Sequence, residues 1–485
     1  MPPAVRFVFG PFSLDPVRRR LTASGEPLGV SDRQFDVLLL LVMRAGQIVS
    51  KDDLIKAAWK DVAVSDNSLE QAISGLRRLL ASYAGDLACI ETVARRGYRC
   101  PLAVVRQAVR ESDDALEALL APHRAFLEGR AALETLERDR IARARTVFEE
   151  ALQHVPEHPS AHVGLANACV LQYEMTRADS APDLLALTTA DRHAREACRL
   201  DPELAEAWAT LGFVLDRTGH HGDARAACRR AVMLEPDNWR HYLRLAYVSW
   251  GEGRLRAAKR ALALLPGFPL AHFLSATVYV ARQVFEQAER ELDAALVTPA
   301  ATADAARSSA VAVHWLRGLL HLAAGEQDRA QAEFDAELAL EQGGHLYARE
   351  CCARTWCAIG ALRLRRGDLT DARAAFQRAL ERLPANPVAR VGLAAAVGSN
   401  ALERAPADRP PFPATSSPVD AAWPLAVQLV LTGAHAEAAR RLKDAIAADT
   451  NDSAGWLIPI DPMLQVAEHP TTWADALALL RHRAA

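Results

Sequence analysis

The chain has 485 residues, about three times a typical domain of roughly 150, so one small domain is excluded. Half of it is hydrophobic, 6% is aromatic and 24% is charged, which excludes a disordered chain. The net charge of −3 hides an asymmetry: residues 1–106 carry +4 and the remainder −7, the balance of a basic nucleic-acid reader joined to an acidic body.

The first hundred residues mix short strand patterns with three helical ones, and everything after about residue 105 reads as helix. Phe7–Phe9, Phe12–Leu14 and Arg20–Thr22, separated by Gly10, Pro11, Pro16 and Gly25, predict a small antiparallel sheet. A first helix begins at Ser31 with Gln34 at capping-box spacing, buries Phe35, Leu38, Leu39 and Val42, and stops near Gly46. A second is capped by Ser50, carries Leu54, Ile55, Ala58 and Trp59, and ends before Asp61.

The third helix is predicted to start at an Asn67 cap with Glu70 in the reciprocal position. Leu69, Ala72, Ile73, Leu76 and Leu80 form its apolar stripe, which leaves Asn67, Gln71, Ser74 and Arg78 on the outer face with Ser68 and Arg77 flanking. Amide and guanidinium groups on such a face can make paired hydrogen bonds to base edges in a major groove, and Ser68 can bond phosphate. Asp66 and Glu70 would repel phosphates unless the helix is angled away or they serve as dipole partners. Cys89–Val93 and Tyr98–Cys100 then read as strands around a tip containing Arg95 and Arg96. These two arginines suit a minor groove or its phosphates; solvated surface charge is the alternative.

Sheet, three helices and terminal hairpin in this order, with Leu76-Arg77-Arg78 and Glu91-Thr92-Val93…Gly97-Tyr98-Arg99, resemble the OmpR/PhoB-type winged-helix DNA-binding domain over residues 5–102. The stretch Ser65–Ser74 is similar to its ToxR/CadC-like branch. The resemblance implies that the helix from Asn67 is the recognition helix and that Arg95 and Arg96 belong to the wing. It also implies that Lys60–Ser65 matches a loop that in activators can touch RNA polymerase, and that tandem half-sites, hence a dimer on DNA, are plausible. No receiver domain with a phosphorylatable aspartate precedes the winged helix in this sequence. The longest apolar run, Val37–Met43, is far below the roughly 18–20 residues of a membrane-spanning helix. Met1–Phe9 has no secretory-leader pattern, so a cytoplasmic protein receiving its input through the remaining residues is expected.

Those residues repeat. Trp208, Leu211, Gly212, Leu215, Ala224, Cys228, Ala231 and Pro236 fit the tetratricopeptide pattern of roughly 34 residues, and Trp356, Ile359, Gly360, Ala372, Phe376, Ala379 and Pro384 fit it again. Weaker copies, such as Ala144, Phe148, Ala151 and Pro156, bring the expectation to roughly seven to eight helix pairs in a superhelix with a concave groove. The expected domains are a winged helix at 1–103 and a linker or docking helix at 104–122. An array at 123–449 follows, with a Pro-rich loop at 405–418, and a capping segment at 450–485.

Eight scattered cysteines with no C-x-x-C pair read as reduced, packed thiols. No phosphate loop, dinucleotide fingerprint, H-E-x-x-H or G-x-S-x-G is present, so no enzyme, metal or cofactor is expected. The prediction is a multi-domain chain, an α+β winged helix-turn-helix followed by an all-α tetratricopeptide superhelix. The head would regulate transcription by reading double-stranded promoter DNA, under control of a protein, peptide or ligand bound to the repeats. The resemblance extends to ToxR-like invasion-gene activators that join the same two parts. The alternative is a repeat scaffold whose winged helix mediates protein contacts.

Overall fold

The computed structural model describes residues 4–16, 19–23, 26–59, 66–84, 88–109, 133, 136–297, 310–403 and 417–485. The first three strands are β1 (Ala4–Phe9), β2 (Phe12–Asp15) and β3 (Arg20–Ala23), followed by β4 (Glu26–Leu28). Three helices follow, α1 (Asp32–Met43), α2 (Lys51–Trp59) and α3 (Asp66–Ala84). The hairpin β5 (Glu91–Val93) and β6 (Gly97–Arg99) precedes a last strand, β7 (Val105–Val109). β4-β3-β2-β1-β7 form one antiparallel sheet, with Phe7 opposite Leu14 and Ala4 opposite Val109. Phe7, Phe9, Phe12, Leu14, Leu21 and Leu28 point from one face of it into a core shared with the three helices, the period-two alternation of a sheet covered on one side.

β7 corrects the expected boundary at residue 103, because Val105–Val109 belongs to the head and not to a linker or docking helix. It satisfies the outer edge of β1, which would otherwise present unpaired backbone groups. Arg106 of β7 lies 5.8 Å over the Phe7 ring and donates to the Met43 carbonyl at 3.3 Å.

α1 starts as its sequence dictates: Gln34 N–H donates to Ser31 Oγ at 3.4 Å and Ser31 N–H donates to Gln34 Oε1 at 3.1 Å, a complete capping box. Ser50 caps α2 through the Asp53 N–H. α3 departs from expectation. It already includes Asp66, so Asn67 lies inside the first turn instead of capping it, and Glu70 pairs with Lys51 at 3.0 Å. The loop Lys60–Ser65 lies outside the described residues.

The second region is helical. α4 (Arg138–His154) packs on the first of seven antiparallel pairs among the described residues. These are α5 (Pro159–Thr176) with α6 (Leu184–Leu200), α7 (Ala205–Arg217) with α8 (His221–Leu234), and α9 (Trp239–Val248) with α10 (Gly251–Leu264). Next come α11 (Pro269–Ala281) with α12 (Phe285–Leu296), α13 (Val313–Ala323) with α14 (Gln327–Ala339), and α15 (Ala348–Arg366) with α16 (Leu369–Arg382). α17 (Pro387–Val397) and the short α18 (Ser399–Glu403) lead to the last pair, α19 (Pro418–Leu431) with α20 (His435–Ala448), followed by α21 (Pro470–Arg483). Most of the Pro-rich loop at 405–418 lies outside the described residues.

The repeat glycines work by absence. A Cβ on Gly360 would lie 2.7 Å from Phe376, one on Gly318 2.5 Å from Phe334, and one on Gly212 2.4 Å from Cys228 Sγ. A bare backbone at these points lets a fully buried ring or thiol of the second helix slot under the first. All eight cysteines are free and buried, and burial pushes Cys228 up to about 12.

The array turns back on itself at two places. Leu346 N–H donates to the Leu136 carbonyl at 2.9 Å, Tyr347 Oη to Glu174 at 2.9 Å, and Arg349 pairs with Asp179 at 2.7 Å, joining the start of α15 to the first repeat. Beyond α21, the Ala484 and Ala485 carbonyls accept from Arg282 at 2.7 and 2.9 Å, and Ala485 also accepts from Glu252 N–H at 3.2 Å. The segment after residue 450 thus packs on α20 and also reaches across to the α10–α11 region. Among the described residues, no helix is long and apolar enough to cross a membrane.

Candidate nucleic-acid interface

α3 is held by its apolar stripe. Leu69, Ile73, Leu76 and Leu80 are each at most 1% exposed, and they fix the rotation of the helix against α1 and α2. Gly75 lets α1 approach, because a Cβ there would lie 2.5 Å from Gln34 Nε2. The outer face that results presents Gln71, Ser74 and Arg78, all exposed, at spacings of three and four. Asn67 occupies the same face one turn earlier in the backbone. Ser68, flanking that face, is 9% exposed.

Arg77 and Arg78, adjacent in sequence, have different surroundings. Arg77 donates through Nε to the Ile90 carbonyl at 3.1 Å and through Nη2 to Thr92 Oγ1 at 2.7 Å, with its guanidinium 5.9 Å over the Tyr98 ring. It ties α3 to the wing, a role that the spacing alone did not separate from base reading. Arg78 makes no ion pair or hydrogen bond among the described residues and is exposed.

The wing is a two-stranded ribbon with Glu91 opposite Arg99 and Val93 opposite Gly97. Glu91 and Arg99 form an ion pair at 2.6 Å. Val49 and Tyr98 exchange backbone bonds of 2.8 and 2.9 Å, which lock the ribbon onto the segment before α2. Gly97 is required at that junction: its φ is +130° and a Cβ would lie 2.0 Å from the Val49 carbonyl oxygen. At the tip Arg96 N–H donates to the Val93 carbonyl at 3.0 Å and Arg95 takes a left-handed φ of 60°. The side chains of Arg95 and Arg96 are exposed and make no ion pair among the described residues.

Exposed α3 face, arginine-tipped ribbon and supporting sheet define a winged-helix domain with one cationic surface. The model of the family described as "Transcriptional regulatory protein, C terminal" matches residues 25–100, and a tetratricopeptide-repeat model matches residues 205–238, which span α7 and α8. The chain therefore joins an OmpR/PhoB-type transcriptional-regulator DNA-binding domain to tetratricopeptide repeats. It is 36% identical over 94 residues to the transcriptional regulator HilA of Salmonella typhimurium, 19% of this chain and 17% of that protein. It is 29% identical over 115 residues to the transcriptional activator CadC of Escherichia coli, 24% and 22% of the two chains. The match thus spans less than a quarter of either relative. Among solved structures, the DNA-binding domain of Klebsiella pneumoniae RstA in complex with the RstA box is 35% identical, covering 20% of this chain and 96% of that one at a TM-score of 0.18.

Proposed function

We propose that this protein regulates transcription by sequence-specific DNA binding, with α3 in the major groove, the β5–β6 wing on the adjacent minor groove, and the repeat array controlling the head. The observation that carries the DNA reading is the set of exposed Gln71, Ser74, Arg78, Arg95 and Arg96, whose three guanidiniums have no carboxylate partner among the described residues. Solvated cations of this kind bind phosphates with release of counterions, and an Arg or Gln on the helix can bond a base edge at two points. The similarity to the transcriptional regulators HilA and CadC supports the same reading.

Control by the array is supported by where the head rests. Asp32 at the start of α1 bonds the Ser160 hydroxyl at the start of α5, and Arg33 pairs with Glu235. The array therefore touches the first turn of α1 while the five outward residues of α3 and the wing stay exposed. Contact of residues 60–65 with RNA polymerase and pairing of two copies on tandem half-sites are further parts of this proposal.

The test is selection of random duplexes by the full chain, then affinity for the selected site and a scrambled one over a salt series. The expected result is preference for the selected site and a salt slope that Arg78→Ala/Arg96→Ala makes shallower. No enriched sequence and equal weak binding to both duplexes would overturn the proposal.

A further inference from the structure

The two long-range contacts fold the array back on itself around a cavity of about 1420 Å3. Beside its wall the buried Glu174 accepts from Arg217 at 2.6 Å and from Tyr347 Oη at 2.9 Å, with Arg177 at 3.5 Å, three residues that line the cavity. Burial alone would lower the Arg217 guanidinium, but Glu174 and its neighbours hold it well above its usual value. Arg217 is therefore neutralised within the wall.

Arg244 is not. Its guanidinium stacks 4.1 Å over the Phe213 ring and reaches Asn167 Oδ1 only at 3.4 Å, and among the described residues it has no ion pair. Asn167 itself donates to Thr210 Oγ1 at 3.1 Å. Arg244, Asn167, Thr210 and Phe213 all line the cavity, and Tyr247 meets the Phe213 ring edge-on at 5.4 Å. Burial with no opposing carboxylate pushes Arg244 below its usual value. Arg254 on the next helix is also pushed down by burial, to about 10, but its N–H groups are filled by the Ala246, Tyr247 and Ser249 carbonyls and by Thr277. Arg244 is thus left with donors to spare, and the interior of a protein favours an anion beside it.

We propose that the cavity inside the repeat array binds a small organic anion, whose carboxylate or phosphate group sits on Arg244 and Asn167 and whose apolar body lies against Tyr247. A planar guanidinium already stacked on a ring is held for two-point bonding to a planar or tetrahedral oxyanion. Arg33 of α1 lines the same cavity, so an occupant lies beside the contact that seats the head. This deepens the reading of the array as the controlling part and rests on it only for the effect on DNA; binding itself is independent of that reading.

The experiment is calorimetry of the full chain with phenyl phosphate and benzoate, against phenol and inorganic phosphate, on wild type, Arg244→Gln and Arg244→Lys. The two aromatic anions distinguish a phosphate from a carboxylate ligand. The expected result is saturable binding of at least one of them, more than tenfold tighter than phenol or inorganic phosphate. Arg244→Gln should weaken that anion at least tenfold, and Arg244→Lys, which keeps the charge but not the planar two-point fork, should restore only part of the loss. Gln and Lys variants with wild-type circular dichroism keep the comparison valid. Binding of neither aromatic anion, or equal binding by wild type and Arg244→Gln, would overturn the proposal. Selection of DNA by the same preparations reports separately on the regulator reading, so failure of one leaves the other standing.

Discussion

Replacing Arg77 and Arg78 one at a time separates support of the wing from contact with DNA. Arg77→Ala removes two charge-assisted bonds, to the Ile90 carbonyl at 3.1 Å and to Thr92 Oγ1 at 2.7 Å, and the contact with Tyr98. A hydrogen bond to a charged group contributes roughly 1.5–3 kcal/mol when buried. Arg77 is exposed, so the combined loss is reduced by solvent to about 1–2 kcal/mol. That loss falls on the wing rather than on the whole head. Hydrogen exchange of the Tyr98 N–H, which bonds the Val49 carbonyl at 2.9 Å, should then accelerate roughly 5- to 30-fold. Arg78→Ala breaks no bond within the described protein, so wing exchange should stay within a change of about 0.5 kcal/mol. Its cost appears on DNA instead, roughly 5- to 150-fold in affinity for the selected site if the guanidinium bonds a guanine edge. Equal acceleration of wing exchange in both variants, or none in Arg77→Ala, would refute this division of labour.

Three more outcomes follow from the same geometry. Arg95→Ala and Arg96→Ala should each reduce the slope of log affinity against log salt by about 0.9 if each guanidinium neutralises one phosphate; an unchanged slope for both places the wing off the DNA. Gly360→Ala should destabilise the array by about 1–3 kcal/mol in urea unfolding, because a Cβ on Gly360 would lie 2.7 Å from the Phe376 ring, and the ring is also hemmed at Gly392, where a Cβ would lie 2.3 Å from it; an unchanged midpoint would contradict that packing. His162 and His193 stack with their Nδ1 atoms 2.7 Å apart, and burial followed by the neighbouring His162 pushes His193 down to about 4. A histidine lowered on folding contributes stability that is present above its unfolded value near 6.5 and is lost as pH falls towards 4. Thermal stability of the array should drop across that window, and His193→Gln should flatten the drop; identical pH profiles would refute it.

Local chemistry made much of the head legible. Ser31 and Gln34 announced the capping box, and the spacing of Leu69, Ile73, Leu76 and Leu80 fixed which face of α3 turns outward. The glycine and phenylalanine of each repeat are likewise a short-range signal, since 16 positions separate Gly360 from Phe376 in one helical hairpin. What stayed hidden depends on distant partners. Val105–Val109 has the look of a connector until it meets β1 about a hundred residues earlier. Asn67 looked like a cap because Glu70 stands at capping-box spacing, and the bonds of Arg77 to Ile90 and Thr92 were out of sight because they form only in the folded domain. The stacked Arg244 is invisible to any motif, since Asn167 and Phe213 approach it from two other helices.

The self-contacts of the array change how it responds to damage. An open stack of repeats holds each unit through its neighbours alone, so it can fray from either end. Here residues 170 to 203 positions apart are bonded to each other, and the outermost helices are as tied down as the middle ones. Such a hoop is weakened as a whole when any one pair loosens, and its closing step must wait until nearly all helices are formed, because long-range contacts carry the largest chain-closure entropy. Ala484 lies so close to Gly251 that a Cβ there would come within 2.9 Å of the Ala484 carbonyl oxygen, so a change at either end of that contact bears on the other.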